Sequence, residues 1–241
     1  MKILIVIPAR GGSKGVKKKN LRKINGKSLI RRACEVVSNS KYLDFIRVCL
    51  SSDDSEMIKE GISYGAEAPF VRPPDISEDV ETELVIEHAY NFYKDIENYE
   101  ADLICLLQPT TPFRTSTSLD KAIKFILENK KIDSVYTAKS VDGMNPEKMF
   151  RSLGENTIEP YTNSFLDNEG VPCLKLVARQ DCERLFIPDG NLFIVKSNYF
   201  KRTMSMLSRN SYFFETDDKE SLDIDTEQDI LFADFLETQN K

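Results

Sequence analysis

The stretch KILIVIPARGGSKGVKKKN, residues 2–20, joins an apolar run to a glycine-rich loop that carries five cations. The run KILIVI is typical of a strand buried on both faces, as in a parallel sheet. In open α/β sheets, ligands bind beyond the carboxyl ends of the strands, which is where this loop begins. The stretch therefore predicts an α/β fold with a ligand-binding loop after its first strand.

The loop after this strand has the chemistry of a phosphate site. Its glycines let backbone amides approach an oxyanion closely, and its cations add positive charge. The loop lacks both the Gly-Lys-Ser/Thr ending of a Walker A motif and the spacing of the dinucleotide fingerprint G-x-G-x-x-G. The alternative is a solvated basic turn, and we expect Lys17 and Lys18 to face solvent in either case. The residues expected to bind phosphate are Arg10, Gly11, Gly12, Lys14 and Lys19.

The rest of the chain alternates apolar runs with amphipathic stretches, which predicts a mainly parallel sheet covered by helices on both faces. The 241 residues are expected to form one domain. Residues 140–188 break the alternation and predict an inserted arm, because a structureless loop of that length is uncommon in a compact domain. The predicted strands are 2–7, 45–51, 69–71, 102–107, 133–139 and 191–196, and the predicted helices are 27–39, 53–63, 80–94, 116–129 and 225–239.

Composition limits the classes of function. The net charge of −6 disfavours a general affinity for nucleic acid or for an anionic membrane. No apolar run is long enough to cross a bilayer, and the N-terminus lacks the features of a signal peptide, so we expect a cytoplasmic protein. Cys49 and Cys105 lie in apolar runs and are expected to be buried free thiols.

Two further features could carry chemistry. Asp223 and Asp225 stand two apart in SLDIDTEQD, and an extended chain would direct both carboxylates to one face, where they could grip a divalent cation. The alternative is that Asp225 only caps the last helix. The loop LLQPTTPFR, residues 106–114, could hold Gln108 and Arg114 towards a substrate. The sole histidine, His88, lies within a predicted helix and is not expected to act as a catalytic base.

Five segments, taken in this order, resemble the N-acylneuraminate cytidylyltransferases, also called CMP-sialic acid synthetases. The resemblance covers nearly the whole chain, and it implies a Rossmann-like nucleotidyltransferase fold with an extended arm that serves a homodimer. The implied reaction transfers CMP from CTP to the anomeric hydroxyl of a nonulosonic 2-keto sugar acid and releases pyrophosphate. The segments are IPARGGSKGVKKKNL, VRP (71–73), LLQPTTPFR, RQDCERLFIPDGNLFIV (179–195) and SLDIDT (221–226).

The resemblance also implies roles for individual residues. Lys19, Arg10 and Asp225 would be catalytic, with Lys19 neutralising charge at the α-phosphate. The metal would be Mg²⁺, with Mn²⁺ as the alternative, and the general base would be either a metal-held water or Asp223. Further positions match nucleotide ligands (Asn20, Arg72), metal ligands (Asp223, Asp225) and sugar ligands (Gln108, Lys148, Arg179, Phe193).

The sequence departs from the family pattern mainly on the sugar side. Asp189 and Phe193 stand where the family's NGAIY has Asn and Tyr, and Cys182 and Glu183 replace Leu-Pro in RQxLP. Asp189 would add negative charge near an acidic sugar. Lys17 replaces a usual proline in the first loop. CTP chemistry is therefore expected, while N-acetylneuraminate, legionaminate, pseudaminate or another nonulosonic acid remains open as the sugar.

Three alternatives stay open at this stage. A Kdo cytidylyltransferase performs the same chemistry on an eight-carbon acid, but that group typically has a QGDEP-like stretch where this chain has QPTTPFR. A metal-dependent glycosyltransferase would not need the loop after the first strand, and its Asp-x-Asp usually follows a mid-chain strand. A non-catalytic nucleotide-binding homologue is disfavoured by the retained cations and carboxylates.

Overall fold

The computed structural model describes residues 1–13, 15–155, 157–162, 166–171, 173 and 178–239, with the side chains of Asp142 and Arg179 left out. The chain divides into two compact units. Unit 1 comprises Met1–Ala138 and Pro188–Lys241, and unit 2 comprises Lys139–Ile187.

Unit 1 is built on a mixed sheet in which parallel pairs dominate. The strands of the described chain are β1 (Ile3–Pro8), β2 (Lys23–Ile24), β3 (Lys27–Ser28), β4 (Ile46–Ser51), β5 (Leu103–Leu106), β6 (Ser134–Ser140), β7 (Phe150–Gly154), β8 (Thr157–Pro160), β9 (Phe186–Lys196) and β10 (Ser211–Glu215), of which β7 and β8 belong to unit 2. Within the described residues, the main sheet has six strands in the order β10-β6-β9-β5-β1-β4. β1 pairs in parallel with β4 and β5, and β10 pairs in parallel with β6, whereas β9 is antiparallel to β5.

Helices cover both faces of this sheet. The helices of the described chain are α1 (Leu29–Ser38), α2 (Ser55–Ser63), α3 (Thr82–Asp95), α4 (Ser116–Glu128), α5 (Ser197–Thr203) and α6 (Glu227–Thr238). Side chains alternate along a strand, so Ile3, Ile5 and Ile7 join a core with α1, α2 and α4, while Leu4 and Val6 join a second core with α3 and α5. This confirms the predicted α/β class and its two covered faces.

The N-cap of α6 is a residue outside the acidic pair Asp223 and Asp225. Thr226 is the N-cap and forms a capping box with Asp229, whose carboxylate accepts a hydrogen bond from the Thr226 backbone at 2.7 Å. Asp225 therefore precedes the cap, and the alternative that Asp225 only caps the last helix is wrong. The Asp225 carboxylate is available for a site rather than for the helix end.

Some local elements differ from the sequence-based predictions. Residues 69–71 form no strand, and the nearby pairing is an isolated bridge between Cys49 and Glu67. α5 and β10 were not predicted, although β10 lies at one edge of the sheet. In unit 2, β7 and β8 form an antiparallel hairpin. The assignment of this segment as a dimerisation arm stays a prediction. No helix in the described part of the chain is long and apolar enough to cross a membrane.

Candidate active site

A pocket of about 380 Å³ lies at the carboxyl edge of the parallel strands in unit 1. Arg10 enters it from the loop after β1, and Gln108 enters it from the loop after β5. Because β1 and β5 are parallel neighbours, their carboxyl ends meet at this edge. The predicted residues that line the pocket are Arg10, Lys19, Asn20, Arg72, Gln108, Asp223 and Asp225.

The loop after β1 is fixed by contacts of its own backbone. The Gly11 amide donates to Asp53 Oδ1 at 2.8 Å, and Asn20 Nδ2 donates to the Arg10 carbonyl at 3.4 Å. Asn20 is buried, which suits a role in holding this loop as well as in contacting a ligand. Gly12 lines an adjoining cavity that shares Arg10 with the main pocket.

Lys19 joins the loop to the acidic pair. Its ammonium lies 2.9 Å from Asp225 Oδ1, and its side chain is only 18% exposed whereas that of Asp225 is 72% exposed. The loop also approaches Asp225 through Gly15, where an added Cβ would overlap the Asp225 carbonyl oxygen. Only glycine fits this close approach. The loop after β1 and the segment before α6 therefore pack against each other, although they lie near opposite ends of the sequence.

Asp223 has the features of a cation ligand. Its Oδ1 is buried and has no hydrogen-bond partner among the described residues. Burial raises the pKa of the Asp223 carboxyl, and the neighbouring charge of Asp225 raises it further. A divalent cation would satisfy this oxygen and offset the repulsion between the two carboxylates. No third carboxylate, histidine or cysteine joins them in the described residues, so a bound cation would take its other ligands from substrate or water.

Arg10 and Arg72 are held in different ways. Arg10 Nη1 lies 2.6 Å from Asp79 Oδ1, and both side chains are partly exposed in the pocket. Arg72 is buried and donates through Nε to Ser51 Oγ at 3.1 Å and through Nη2 to the Ser51 carbonyl. Burial lowers the pKa of Arg72 to about 10, which leaves it cationic at neutral pH. Arg10 can exchange its partner for an anion, whereas Arg72 is fixed to the end of β4.

Glu78 and Asp79 also line the pocket, and they were not identified as site residues from the sequence. They lie in an acidic stretch just before α3, where carboxylates are expected near a helix N-terminus. Nothing in the local pattern distinguishes them from such residues, and only the ion pair between Asp79 and Arg10 places them in a site.

Gln108 and Arg114 have separate roles in the loop after β5. Gln108 lines the pocket, whereas Arg114 is buried and turned towards the backbone. Arg114 donates to the Gln108 carbonyl at 2.9 Å, to Asn191 Oδ1 at 3.0 Å and to the Asn191 carbonyl. The expectation that the loop holds Arg114 towards a substrate is wrong, because the guanidinium braces the loop against β9 instead.

Asp189 and Phe193 are also turned away from the pocket. The buried Asp189 carboxylate accepts hydrogen bonds from Thr137 Oγ1 at 2.6 Å, from the Asn191 amide at 3.0 Å and from Thr216 Oγ1. Phe193 lies in β9 and stacks against Tyr136 with ring centroids 6.2 Å apart. The Asp189 carboxylate therefore faces internal donors and does not place the expected negative charge in the pocket. Phe193 does not line this pocket either.

The remaining predicted residues lie elsewhere. Lys14 lies outside the described residues. Lys148 and Arg179 belong to unit 2, each in a short 3-10 helix, and the Arg179 side chain is not among those described. Lys17 is exposed as predicted, whereas Lys18 forms an ion pair with Glu56 at 2.5 Å and is not simply solvated.

The family assignment comes from sequence comparison. A family model described as cytidylyltransferase matches residues 4–157, which include the loop after β1 and the loop after β5. The chain belongs to the cytidylyltransferase family. The match extends over most of unit 1's parallel core.

Individual relatives agree with this family. The chain is 30% identical over 240 residues to the pseudaminic acid cytidylyltransferase of Campylobacter jejuni, covering 98% of this chain and 96% of that protein. It is also 30% identical over 233 residues to the N-acylneuraminate cytidylyltransferase of Escherichia coli, covering 96% of this chain but only 51% of that protein, so the chain spans about half the length of that relative. A solved CMP:2-keto-3-deoxy-manno-octonic acid synthetase complexed with CTP has the same fold, with a TM-score of 0.66, 14% identity and full coverage of both chains.

Proposed function

We propose that this protein transfers CMP from CTP to the anomeric hydroxyl of a nonulosonic 2-keto sugar acid and releases pyrophosphate. The observation that carries the proposal is the meeting of two sets of residues in one pocket. Cations from the loop after β1 lie beside the acidic pair before α6, and Lys19 joins the two sets through Asp225. A glycine-rich cationic loop suits a triphosphate, and paired carboxylates suit the divalent cation that accompanies it.

The chain's own residues would act mainly by positioning and by neutralising charge. In the proposed reaction the anomeric oxygen forms a bond to the α-phosphorus while the bond to the bridging oxygen of pyrophosphate breaks. Lys19 is placed to neutralise charge that develops on the α-phosphate. Arg10 offers a planar guanidinium that can turn from Asp79 to the triphosphate oxygens. Arg72, fixed on Ser51, supports the nucleotide side of the pocket.

Asp223 and Asp225 are the residues that would hold Mg²⁺ or Mn²⁺. When bound, the metal would supply Lewis-acid polarisation of the phosphate. The proton of the attacking hydroxyl can pass to Asp223 or to water. The support for this assignment is Asp223 Oδ1, which is buried and has no hydrogen-bond partner among the described residues. Buried polar atoms normally have a partner, and a bound cation would supply one.

The sugar would lie on the Gln108 side of the pocket. Gln108 can donate a hydrogen bond to a carboxylate or hydroxyl of the acid. Lys148 and Arg179, which the family resemblance places in the arm, remain proposed partners for the carboxylate of a sugar bound by a second copy of the chain. Two relatives of equal identity are named for different sugars, pseudaminic acid and N-acylneuraminate. Overall similarity therefore does not choose the sugar, and we keep N-acetylneuraminate, legionaminate and pseudaminate as candidates.

We also propose that unit 2 serves as a dimerisation arm. Several large apolar side chains of this unit are exposed in the single chain, which supports coverage by a second copy. Light scattering after size exclusion should give a mass of two chains, and a single-chain mass at micromolar concentration would contradict the arm. The exposed side chains include Met144, Leu153, Tyr161 and Leu166.

Pyrophosphate release with CTP tests the central proposal. The protein would be assayed with Mg²⁺ and a panel of N-acetylneuraminic, legionaminic, pseudaminic and 3-deoxy-manno-octulosonic acids, and release should require both CTP and a nine-carbon acid. Release with only the eight-carbon acid would indicate a Kdo-type enzyme. No release with any acid, or release only with another nucleotide, would refute the proposal. Lys17→Ala, a change at an exposed residue of the same loop, should leave the rate unchanged.

A further inference from the structure

The amide of Gln108 lies against Gly190, a glycine within β9. A Cβ placed on Gly190 would come within 2.5 Å of Gln108 Oε1 and 3.6 Å of its Cδ. Contacts under 3.0 Å are too short for a real Cβ, so a side chain at position 190 and the present position of Gln108 exclude one another. We propose that Gly190 is a positioning residue that sets where the Gln108 amide meets the sugar acid. This inference rests on the proposed function.

The direction of β9 creates this contact. β9 is antiparallel to β5, with Phe193 opposite Leu106. The beginning of β9 therefore lies at the same edge as the end of β5, where Gln108 follows. This geometry brings Gly190 against Gln108, and the absence of a side chain at position 190 leaves room for the amide.

The backbone around Gly190 is held firmly. Gly190 has φ +75°, a left-handed conformation that glycine adopts without strain. On one side, the Asp189 carboxylate accepts a hydrogen bond from the Asn191 amide at 3.0 Å. On the other side, Arg114 donates to Asn191 and to the Gln108 carbonyl, which ties the two segments together. The buried contacts of Asp189 and Arg114 therefore keep Gly190 and Gln108 at a fixed separation.

A fixed separation constrains the direction of the Gln108 amide. Its oxygen end faces Gly190, so its NH₂ group is the end left for the pocket, where it can donate to an acceptor. A sugar acid offers carboxylate and hydroxyl acceptors. A side chain at position 190 would push the amide out of this arrangement and weaken binding of the sugar, while the contacts of CTP with Arg10 and Lys19 would persist.

Gly190→Ala tests the inference, with Gly65→Ala as a matched control. Gly65 also has a positive φ, +88°, but nothing lies within 4 Å of its added Cβ, so this variant reproduces the backbone strain without touching Gln108. With CTP and the sugar acid that the wild type consumes, Gly190→Ala should raise KM for the sugar about tenfold, the size expected for losing one hydrogen bond to a charged group. KM for CTP should change less than about twofold, and Gly65→Ala should leave both KM values unchanged.

A double variant shows whether Gly190 acts through Gln108. In a Gln108→Ala background the overlapping amide is gone, so adding Gly190→Ala should raise KM for the sugar no further. If Gly190→Ala alone fails to fold, the double variant should fold, because the overlap has been removed. Additive effects on KM, an unchanged KM in the single variant, or failure of both variants to fold would each overturn the inference. A wild type inactive with every acid would instead refute the proposed function.

Discussion

Replacing Gly15 with alanine should damage the site by separating the two segments that meet there. The added Cβ would overlap the carbonyl oxygen of Asp225, which is backbone and cannot move aside as a flexible side chain can. Either the loop after β1 or the segment before α6 must shift. Both Lys19 and Asp225 belong to the pieces that would move, so the change acts on the cations and on the acidic pair together.

The expected size follows from the kind of contact. Overpacking of this sort costs about 1–3 kcal/mol of folding free energy, which a domain of ordinary stability can tolerate. Displacing reacting groups by about 1 Å can cost roughly 10²-fold in rate. We therefore expect Gly15→Ala to fold and to lose about 10²-fold in kcat.

Initial rates of pyrophosphate release, together with thermal melting followed by circular dichroism, measure the two effects separately. Lys17→Ala is the control, since Lys17 is an exposed residue of the same loop with no proposed contact to a ligand. Lys17→Ala should stay within about 0.5 kcal/mol of the wild type in stability and should keep its rate. Wild-type turnover by Gly15→Ala, or an equal loss in Lys17→Ala, would refute the packing argument.

Three other outcomes are expected. Lys19→Ala should lower kcat by about 10²–10³-fold because it removes a cation that would neutralise charge on the α-phosphate. The loss of stability should stay near about 1 kcal/mol, because the carboxylate that pairs with Lys19 is exposed. Kinetics and thermal melting of this variant beside Lys17→Ala measure both effects, and near-normal turnover would contradict the role. Asp225→Asn should shift the Mg²⁺ dependence of the rate by about 10-fold or more, and an unchanged titration would exclude Asp225 as a metal ligand. Burial raises the pKa of the Cys34, Cys49 and Cys105 thiols to about 12. Alkylation of the folded protein below pH 9, followed by mass spectrometry, should therefore leave these three thiols unmodified. Modification of any of them in the folded protein would contradict their burial.

The residues of the proposed nucleotide side could be selected from the sequence because their signals are local. A buried strand followed by a glycine-rich cationic loop places Arg10 at a sheet edge, and alternation along an extended segment brings Asp223 and Asp225 together. The contact between Lys19 and Asp225 spans 206 positions in the chain, and the resemblance to a family implied the shared site where residue spacing could not.

The proposed sugar side was harder to predict because the direction of β9 and the burial of charged side chains determine its structure. Apolar periodicity identifies β9 as a strand but does not say that it runs antiparallel to β5. Arg114 and Asp189 are charged, and charged side chains are usually exposed, so their inward orientation could not be expected from the sequence. Their partners are internal hydroxyl and backbone groups contributed by separate segments of the chain, such as Thr137 and Asn191.

The antiparallel β9 has a consequence for how such enzymes diversify. The chain leaves the sheet after β6, passes through unit 2 and returns along β9, which contains Gly190. The loop after β1 and the acidic segment before α6 lie outside this excursion in the chain. Residues 139–190 thus form one continuous segment. If the sugar is bound as proposed, exchanging this segment between relatives would change the contacts made by Lys148, Arg179 and position 190, while Gln108, Arg10, Lys19 and the acidic pair stay the same.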